Sequence, residues 1–234
     1  MSAKNKLQRF ADNATFPNVI QPEFEEIFRK DYVLKHNWHA TYWKNENPIV
    51  LELGCGKGEY TVALAEKYPS KNFIGVDIKG ARFWRGAKTA LEKNLQNVAF
   101  LRTRIEFVDS FFGDNEIDEI WITFPDPQLR EKRAKKRLTS PRFLNMYRTM
   151  LKNDAVVNLK TDSKELYDYT KTLLEYNKQE ILVATDDLYN SSFCDEILSI
   201  KTHYESYYLT QGKKITSLKF RVKGEIVDLP ETEE

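Results

Sequence analysis

The stretch Ile49-Val-Leu-Glu-Leu-Gly-Cys-Gly-Lys-Gly-Glu59 constrains this chain more than any other. It opens as a short apolar, β-branched run, the pattern of a strand buried in a parallel sheet. It closes with Gly54, Gly56 and Gly58 at every second position. Glycine turns sharply and lets a ligand press against bare backbone. A helical pattern follows at once, through Tyr60, Val62, Ala63, Leu64 and Ala65. Strand, glycine turn and helix form the opening unit of a nucleotide-binding α/β fold.

The glycine spacing narrows the ligand. A dinucleotide fold uses G-x-G-x-x-G and seats a pyrophosphate on the helix N-terminus. Here the third glycine arrives one residue early, and Glu59 stands where the last glycine would be. A carboxylate there repels pyrophosphate. An adenosyl ligand with a cationic sulfonium and an amino acid tail suits the site better, which points to S-adenosyl-L-methionine and away from NAD. Glu52, inside the strand end, needs a basic or hydrogen-bonding partner to offset its burial. The next apolar strand, Asn72-Phe-Ile-Gly-Val-Asp77, ends in a second acid. An acid roughly 20 residues past the glycine turn is placed to bond a ribose diol. LELGCGKG and GVDI together resemble the class I S-adenosylmethionine-dependent methyltransferases.

A chain of 234 residues suits one large domain, read here as 21–234, with 1–20 as a mobile basic arm carrying Lys4, Lys6 and Arg9. The formal net charge is only +1, so attraction to nucleic acid must come from local clustering. Cys55 and Cys194 lie far apart and form no CxxC. That predicts a reducing, cytoplasmic setting and no zinc site, with Cys55 a small filler in the turn. His36 and His39 have no third ligand nearby, so no metal is expected. No apolar N-terminal leader and no run near ~18 apolar residues is present, so neither export nor a membrane span is expected. No G-x-S-x-G elbow supports a serine hydrolase.

Helical spacing is expected over 22–35, opened by Pro22, with Trp38, Tyr42 and Trp43 packing beneath the first strand. Strands are expected at 49–53, 72–77, 97–101, 118–123, 154–160, 179–184 and 215–223. Helices fill the gaps at 79–95, 141–151 and 163–176, with Ser140-Pro141 and Asp162 as their starts. Residues 190–214 read as a polar loop. Strands alternating with helices argue a mostly parallel sheet with helices on both faces, a Rossmann-like α/β fold.

Phe124-Pro-Asp-Pro127 directly follows the fourth strand, where doubly wound sheets place their ligands. Its prolines stiffen the turn around Asp126. Arg130, Lys132, Arg133, Lys135, Lys136 and Arg137 then put six cations into eight residues with one acid among them. On a nearly neutral protein that is a concentrated phosphate-binding patch.

FPDP, the basic run ending KKRL, and TSPRFL resemble the bacterial tRNA (guanine-N7-)-methyltransferase family. Leu159-Lys-Thr-Asp162, Thr202-His-Tyr-Glu205 and Gly212-Lys-Lys-Ile215 resemble its later segments, so the likeness covers most of the chain. The resemblance implies a seven-stranded sheet with an antiparallel last strand. It implies methylation of guanine N7 in the tRNA variable loop, at tRNA position 46. It places Glu52, Gly54, Gly56, Asp77 and Asp126 at the cofactor, with Asp126 also catalytic. Arg130, Asp162, Thr202, Tyr204 and Glu205 would handle the guanine and nearby RNA. Two departures stand out. Gln128 and Arg130 replace a tryptophan and a lysine, and Arg102-Thr-Arg104 stands where the family has an acid near the adenine. Monomer and homodimer are both compatible with the sequence.

Guanine N7 carries an in-plane lone pair and no proton, so methyl transfer needs no general base. The protein's contribution is alignment, which can be worth roughly 7–11 kcal/mol, and electrostatics. An acid, Asp126 or Asp162, can accept from the guanine N1–H and N2–H2 edge. The nearest rival is an amino-group nucleic-acid methyltransferase. Its N/D-P-P-aromatic motif is missing here, because Asp126-Pro127 is followed by Gln128-Leu129. A noncatalytic RNA-binding module is the other rival, and it has no use for Glu52, the glycines and Asp77.

Overall fold

The computed structural model describes residues 3–230; Met1, Ser2 and residues 231–234 lie outside it. The strands are β1 (Val19–Ile20), β2 (Ile49–Leu53), β3 (Asn72–Val76), β4 (Val98–Leu101), β5 (Ile117–Thr123), β6 (Leu151–Thr161), β7 (Ile181–Thr185) and β8 (Thr216–Phe220). The helices are α1 (Ala3–Thr15), α2 (Phe24–Ile27), α3 (Glu59–Lys67), α4 (Gly80–Glu92), α5 (Pro141–Met150), α6 (Lys164–Tyr176) and α7 (His203–Thr210).

The strands form one sheet in the order β1-β4-β3-β2-β5-β6-β8-β7. β1 to β6 pair in parallel, and β8 lies antiparallel between β6 and β7. All seven expected strands are present, and the last is antiparallel. The eighth, β1, is a two-residue edge strand on β4. Every residue of β2 and β3 is buried. Successive side chains point to opposite faces. Ile49, Leu51, Leu53, Ile74 and Val76 therefore join one core, while Val50, Phe73, Phe100 and Trp121 join the other. Two covered faces explain why these strands read as continuous apolar runs. Trp38 and Trp43 are buried in the first core, where Trp38 stacks on Phe112 at 5.1 Å.

Four local expectations are corrected. Residues 3–15 are not a mobile arm but a helix docked on α4. Asn13 Nδ2 donates to the Gly80 carbonyl at 3.0 Å, and Trp84 Nε1 donates to Asp12 at 2.8 Å. Polar side chains make this contact, so no apolar stripe announces it. Over 22–35 only Phe24–Ile27 is α-helical, because Arg29 turns left-handed at φ +56°. The helical spacing of Phe24 and Phe28 reports a stacked pair, ring centroids 4.9 Å apart, that stays largely exposed. Residues 190–214 contain α7, which has almost no amphipathic pattern and is fixed by its cap. Finally, Ser163, not Asp162, caps α6 by accepting from Leu166 N–H at 3.2 Å. Asp162 instead pairs with Lys213 at 2.7 Å.

Candidate active site

β2 and β5 are neighbours, with Glu52 opposite Trp121. The chain leaves β2 toward β3 on one side and β5 toward β6 on the other. This is the switch point where an open α/β sheet forms its crevice. The glycine turn and Phe124-Pro-Asp-Pro127 emerge there side by side.

Glu52 is 3% exposed. One oxygen accepts from the Thr61 N–H at 2.9 Å and from the Thr61 hydroxyl, the other from the Thr123 hydroxyl. These donors satisfy the buried carboxylate without a cation. Burial still dominates and pushes its pKa up to about 7, with the nearby Asp77 charge adding to the rise. Asp77 holds the turn, accepting from Gly56 N–H at 3.0 Å and from Lys79 N–H at 2.7 Å.

The three glycines have positive φ and divide into two roles. A Cβ on Gly54 would meet nothing within 4 Å, and one on Gly56 only a carbonyl at 4.0 Å. Beside them lies open space that a ligand can fill. A Cβ on Gly58 would strike Phe100 at 2.4 Å, so this glycine lets α3 pack against α4. Cys55 is buried, and burial raises its thiol pKa. Glu59 starts α3 and accepts from the His203 N–H of α7 at 2.8 Å.

After β5 the backbone turns left-handed at Phe124 and again at Gln128, both at φ +48°. That is costly for side-chain-bearing residues. Between the two turns Asp126 is exposed and accepts from Gln128 N–H at 3.1 Å. A cavity of about 440 Å³ runs from Gly54 and Asp77 past Glu106 to Asp126 and Gln128. A second, of about 990 Å³, is walled by Asp126, Asp162, Tyr204, Tyr208 and Lys213. Phe124, Pro125 and Asp126 belong to both walls.

The expected site residues therefore separate by place. Gly54, Asp77 and Asp126 meet in the smaller cavity, with Glu52 buried behind the turn. Asp126, Asp162 and Tyr204 meet in the larger one. Arg130 is exposed at the start of the 3-10 turn Glu131–Lys136 and lines neither cavity. Thr202 and Glu205 form a capping box at the start of α7 and also line neither. Glu205 is 0% exposed and pairs with the equally buried Lys160 at 2.8 Å. Its position holds α7 to the sheet, so direct contact with RNA by Glu205 is not what this geometry offers. Lys160 also donates to the Ile200 carbonyl at 3.1 Å, and Tyr189 donates to Glu205 at 2.7 Å.

Several site residues escaped the sequence reading. Glu106 lines the smaller cavity and lies 3.5 Å from Arg104. It supplies an acid just beyond the position where Arg104 departs from the family pattern. Tyr208 packs its ring 6.1 Å from Phe124, with the Lys213 ammonium 4.6 Å from its centroid. Arg82 lines both cavities, and no sequence signal singled it out. Lys132, Arg133, Lys135 and Lys136 are exposed, and Lys136 reaches the smaller cavity. Arg137 is half-buried, its guanidinium 4.2 Å from the Tyr169 ring.

Among the described residues no helix is long and apolar enough to cross a membrane. In fold, the structure is similar to the 16S rRNA methyltransferase KamB, with TM-score 0.61, 13% identity, and 78% of this chain and 91% of that chain covered. It is also similar to a SAM-dependent methyltransferase from Aquifex aeolicus, with TM-score 0.53, 15% identity, and 76% and 84% covered. The model of a family described as putative methyltransferase matches residues 46–218. The tRNA (guanine-N(7)-)-methyltransferase of Christiangramia forsetii is 55% identical over 95% of this chain and 100% of its own. That of Bacteroides thetaiotaomicron is 48% identical over 98% and 91%. A glycine turn beside an acid-capped strand, a proline-flanked acid between two cavities, and near full-length identity at this level all agree: the chain belongs to the tRNA (guanine-N(7)-)-methyltransferase family.

Proposed function

We propose that this protein transfers a methyl group from S-adenosyl-L-methionine to guanine N7 in tRNA, at the variable-loop guanine of position 46, in the cytoplasm. One observation carries the reading. Asp126 stands in the wall common to a cavity lined by the glycine turn and Asp77 and a cavity lined by Asp162 and Tyr204. A donor in the first and a base in the second would meet across it.

The donor set fits the cofactor. Open space beside Gly54 and Gly56 accepts its amino acid tail, Asp77 a ribose diol, and Glu106 the adenine edge. When bound, the cofactor supplies a sulfonium methyl that N7 can take with no deprotonation. The residues then align and stabilise. Tyr204 and Tyr208 offer aromatic faces to a base, and Asp126, in the wall shared with the donor cleft, offers a carboxylate near its N7 side. As positive charge appears on the ring, that carboxylate is favoured further. Asp162, held by Lys213 and lining the larger cavity without the donor cleft, offers a carboxylate to the N1–H and N2–H2 edge. Arg130 and the exposed cations of the 3-10 turn meet phosphates. Thr202 and Glu205 act at one remove, by fixing α7 and hence Tyr204.

Incubating the protein with unmodified tRNA and methyl-labelled cofactor, then mapping the modified nucleotide, tests this. Label at guanine N7 of the variable loop is expected, and Asp126→Asn should abolish nearly all of it while tRNA binding persists. Label on an exocyclic amine, or full turnover by Asp126→Asn, would overturn the assignment.

A further inference from the structure

A third cavity, of about 410 Å³, opens between α1 and the carboxyl ends of β3 and β4. Lys6, Phe10, Ile78, Lys79, Arg82 and Arg102 dominate its lining. Four of these are exposed cations, and no acid is among the described residues that line the cavity. Among the described residues, none of the four makes an ion pair. Other surface lysines do pair with acids, such as Lys35 with Asp31, Lys164 with Asp168 and Lys214 with Asp187. Arg102 sits 4.9 Å and Lys6 5.9 Å from the Phe10 ring centroid, so one ring props both cations at the opening.

The position matters as much as the charge. Arg82 lines this cavity and both cavities of the active site, and Lys79 lines this one and the donor cleft. Lys6, Phe10 and Arg102 line neither active-site cavity. A strand whose base enters the larger cavity can therefore pass Arg82 and rest a neighbouring phosphodiester against Lys6 and Arg102. In the sheet this surface lies on the β3–β4 side of the switch point, whereas the basic 3-10 turn follows β5 on the other side. The docking of α1 on α4 builds it, because Lys6 and Phe10 come from α1 alone.

We propose that the α1 cavity is a phosphodiester-binding site that grips the substrate RNA on the side of the cleft opposite the basic 3-10 turn. It rests on the RNA-methylation reading above. Cations clear of any acid suit phosphate, whose neutralisation releases counterions and makes affinity salt-dependent. Arg102 brings a fork for two phosphate oxygens and Lys6 a point charge.

The test compares wild type, Lys6→Glu/Arg102→Glu, Lys6→Ala/Arg102→Ala and Lys135→Glu/Lys136→Glu for binding of unmodified tRNA across a salt series. Removing these charge-assisted hydrogen bonds should weaken tRNA binding by about tenfold or more in the first pair of variants. The log–log salt slope should become shallower by about one for each phosphate no longer neutralised. Calorimetry should show cofactor affinity kept, since neither side chain lines the donor cleft. In wild type, tRNA should shield Lys6 from amine acetylation. Wild-type affinity and slope in both pairs, with a clear loss in Lys135→Glu/Lys136→Glu, would overturn this site and leave the RNA-methylation reading intact. No tRNA binding by wild type would overturn both. Shielding of Lys6 by inorganic phosphate but not by tRNA would assign the cavity to a small free anion and also overturn the proposal.

Discussion

Glu52 should make cofactor binding a proton-linked event. Burial raises its pKa to about 7, despite three hydrogen bonds that favour the ionised form. A cationic donor in the adjoining cleft would favour the carboxylate form through space, so binding should expel the proton. One unit below the pKa the group is about ten-to-one protonated, which costs about 1.4 kcal/mol of affinity. The dissociation constant should therefore be roughly tenfold weaker near pH 6 than near pH 8, levelling off above the pKa. Titration calorimetry in buffers of different ionisation enthalpy reads the released proton directly. Glu52→Gln keeps the shape, and its Thr61 and Thr123 partners can reverse their hydroxyls. In this variant affinity should be weak and flat over the same range. The raised pKa also means that the ligand-free protein has this group's stability in full below about 4.5 and loses it as pH rises through about 7. Glu52→Gln should thus melt higher than wild type at alkaline pH. Equal dissociation constants at both pH values, or an unchanged profile in Glu52→Gln, would refute the reasoning.

Gly56→Ala should fold with a loss of only ~1–2 kcal/mol from its positive φ, yet bind cofactor poorly; calorimetry and a denaturant melt separate the two. Gly58→Ala should lose more stability, about 2–4 kcal/mol in the same melt, because strain adds to the clash with Phe100. Lys160→Met strands the buried Glu205 charge and should cost about 3–5 kcal/mol, while Lys160→Met/Glu205→Gln recovers much of it; a denaturant melt of both variants checks this. Lys135→Glu/Lys136→Glu should weaken tRNA binding and flatten its salt dependence by about one unit of slope per phosphate released, as read by filter binding.

The glycine-turn cleft was legible because each element carries its own signal. β2 and β3 are apolar runs ending in acids, and Gly54 and Gly56 mark bare backbone. Phe124-Pro-Asp-Pro127 was found because two prolines punctuate the chain. What escaped depends on partners far apart in sequence. α1 docks through Asn13 and Asp12, polar residues that look like a frayed terminus until α4 is in place. α7 rests on a capping box, on Lys160 from β6 and on Glu59 from α3, and none of these gives a periodicity. Thr202 and Glu205 were singled out by motif as substrate contacts, but motif alone does not tell a ligand contact from a buried brace. Glu106 was hidden because its position is set by a 3-10 turn and not by spacing from β4.

Glu59 gives the molecule a constraint of another kind. The residue that closes the glycine motif is also the acceptor for the first turn of the helix bearing Tyr204. The glycine turn and the helix that walls the larger cavity thus share one carboxylate. On the proposed function, a change at Glu59 should therefore move methyl-donor affinity and choice of RNA together.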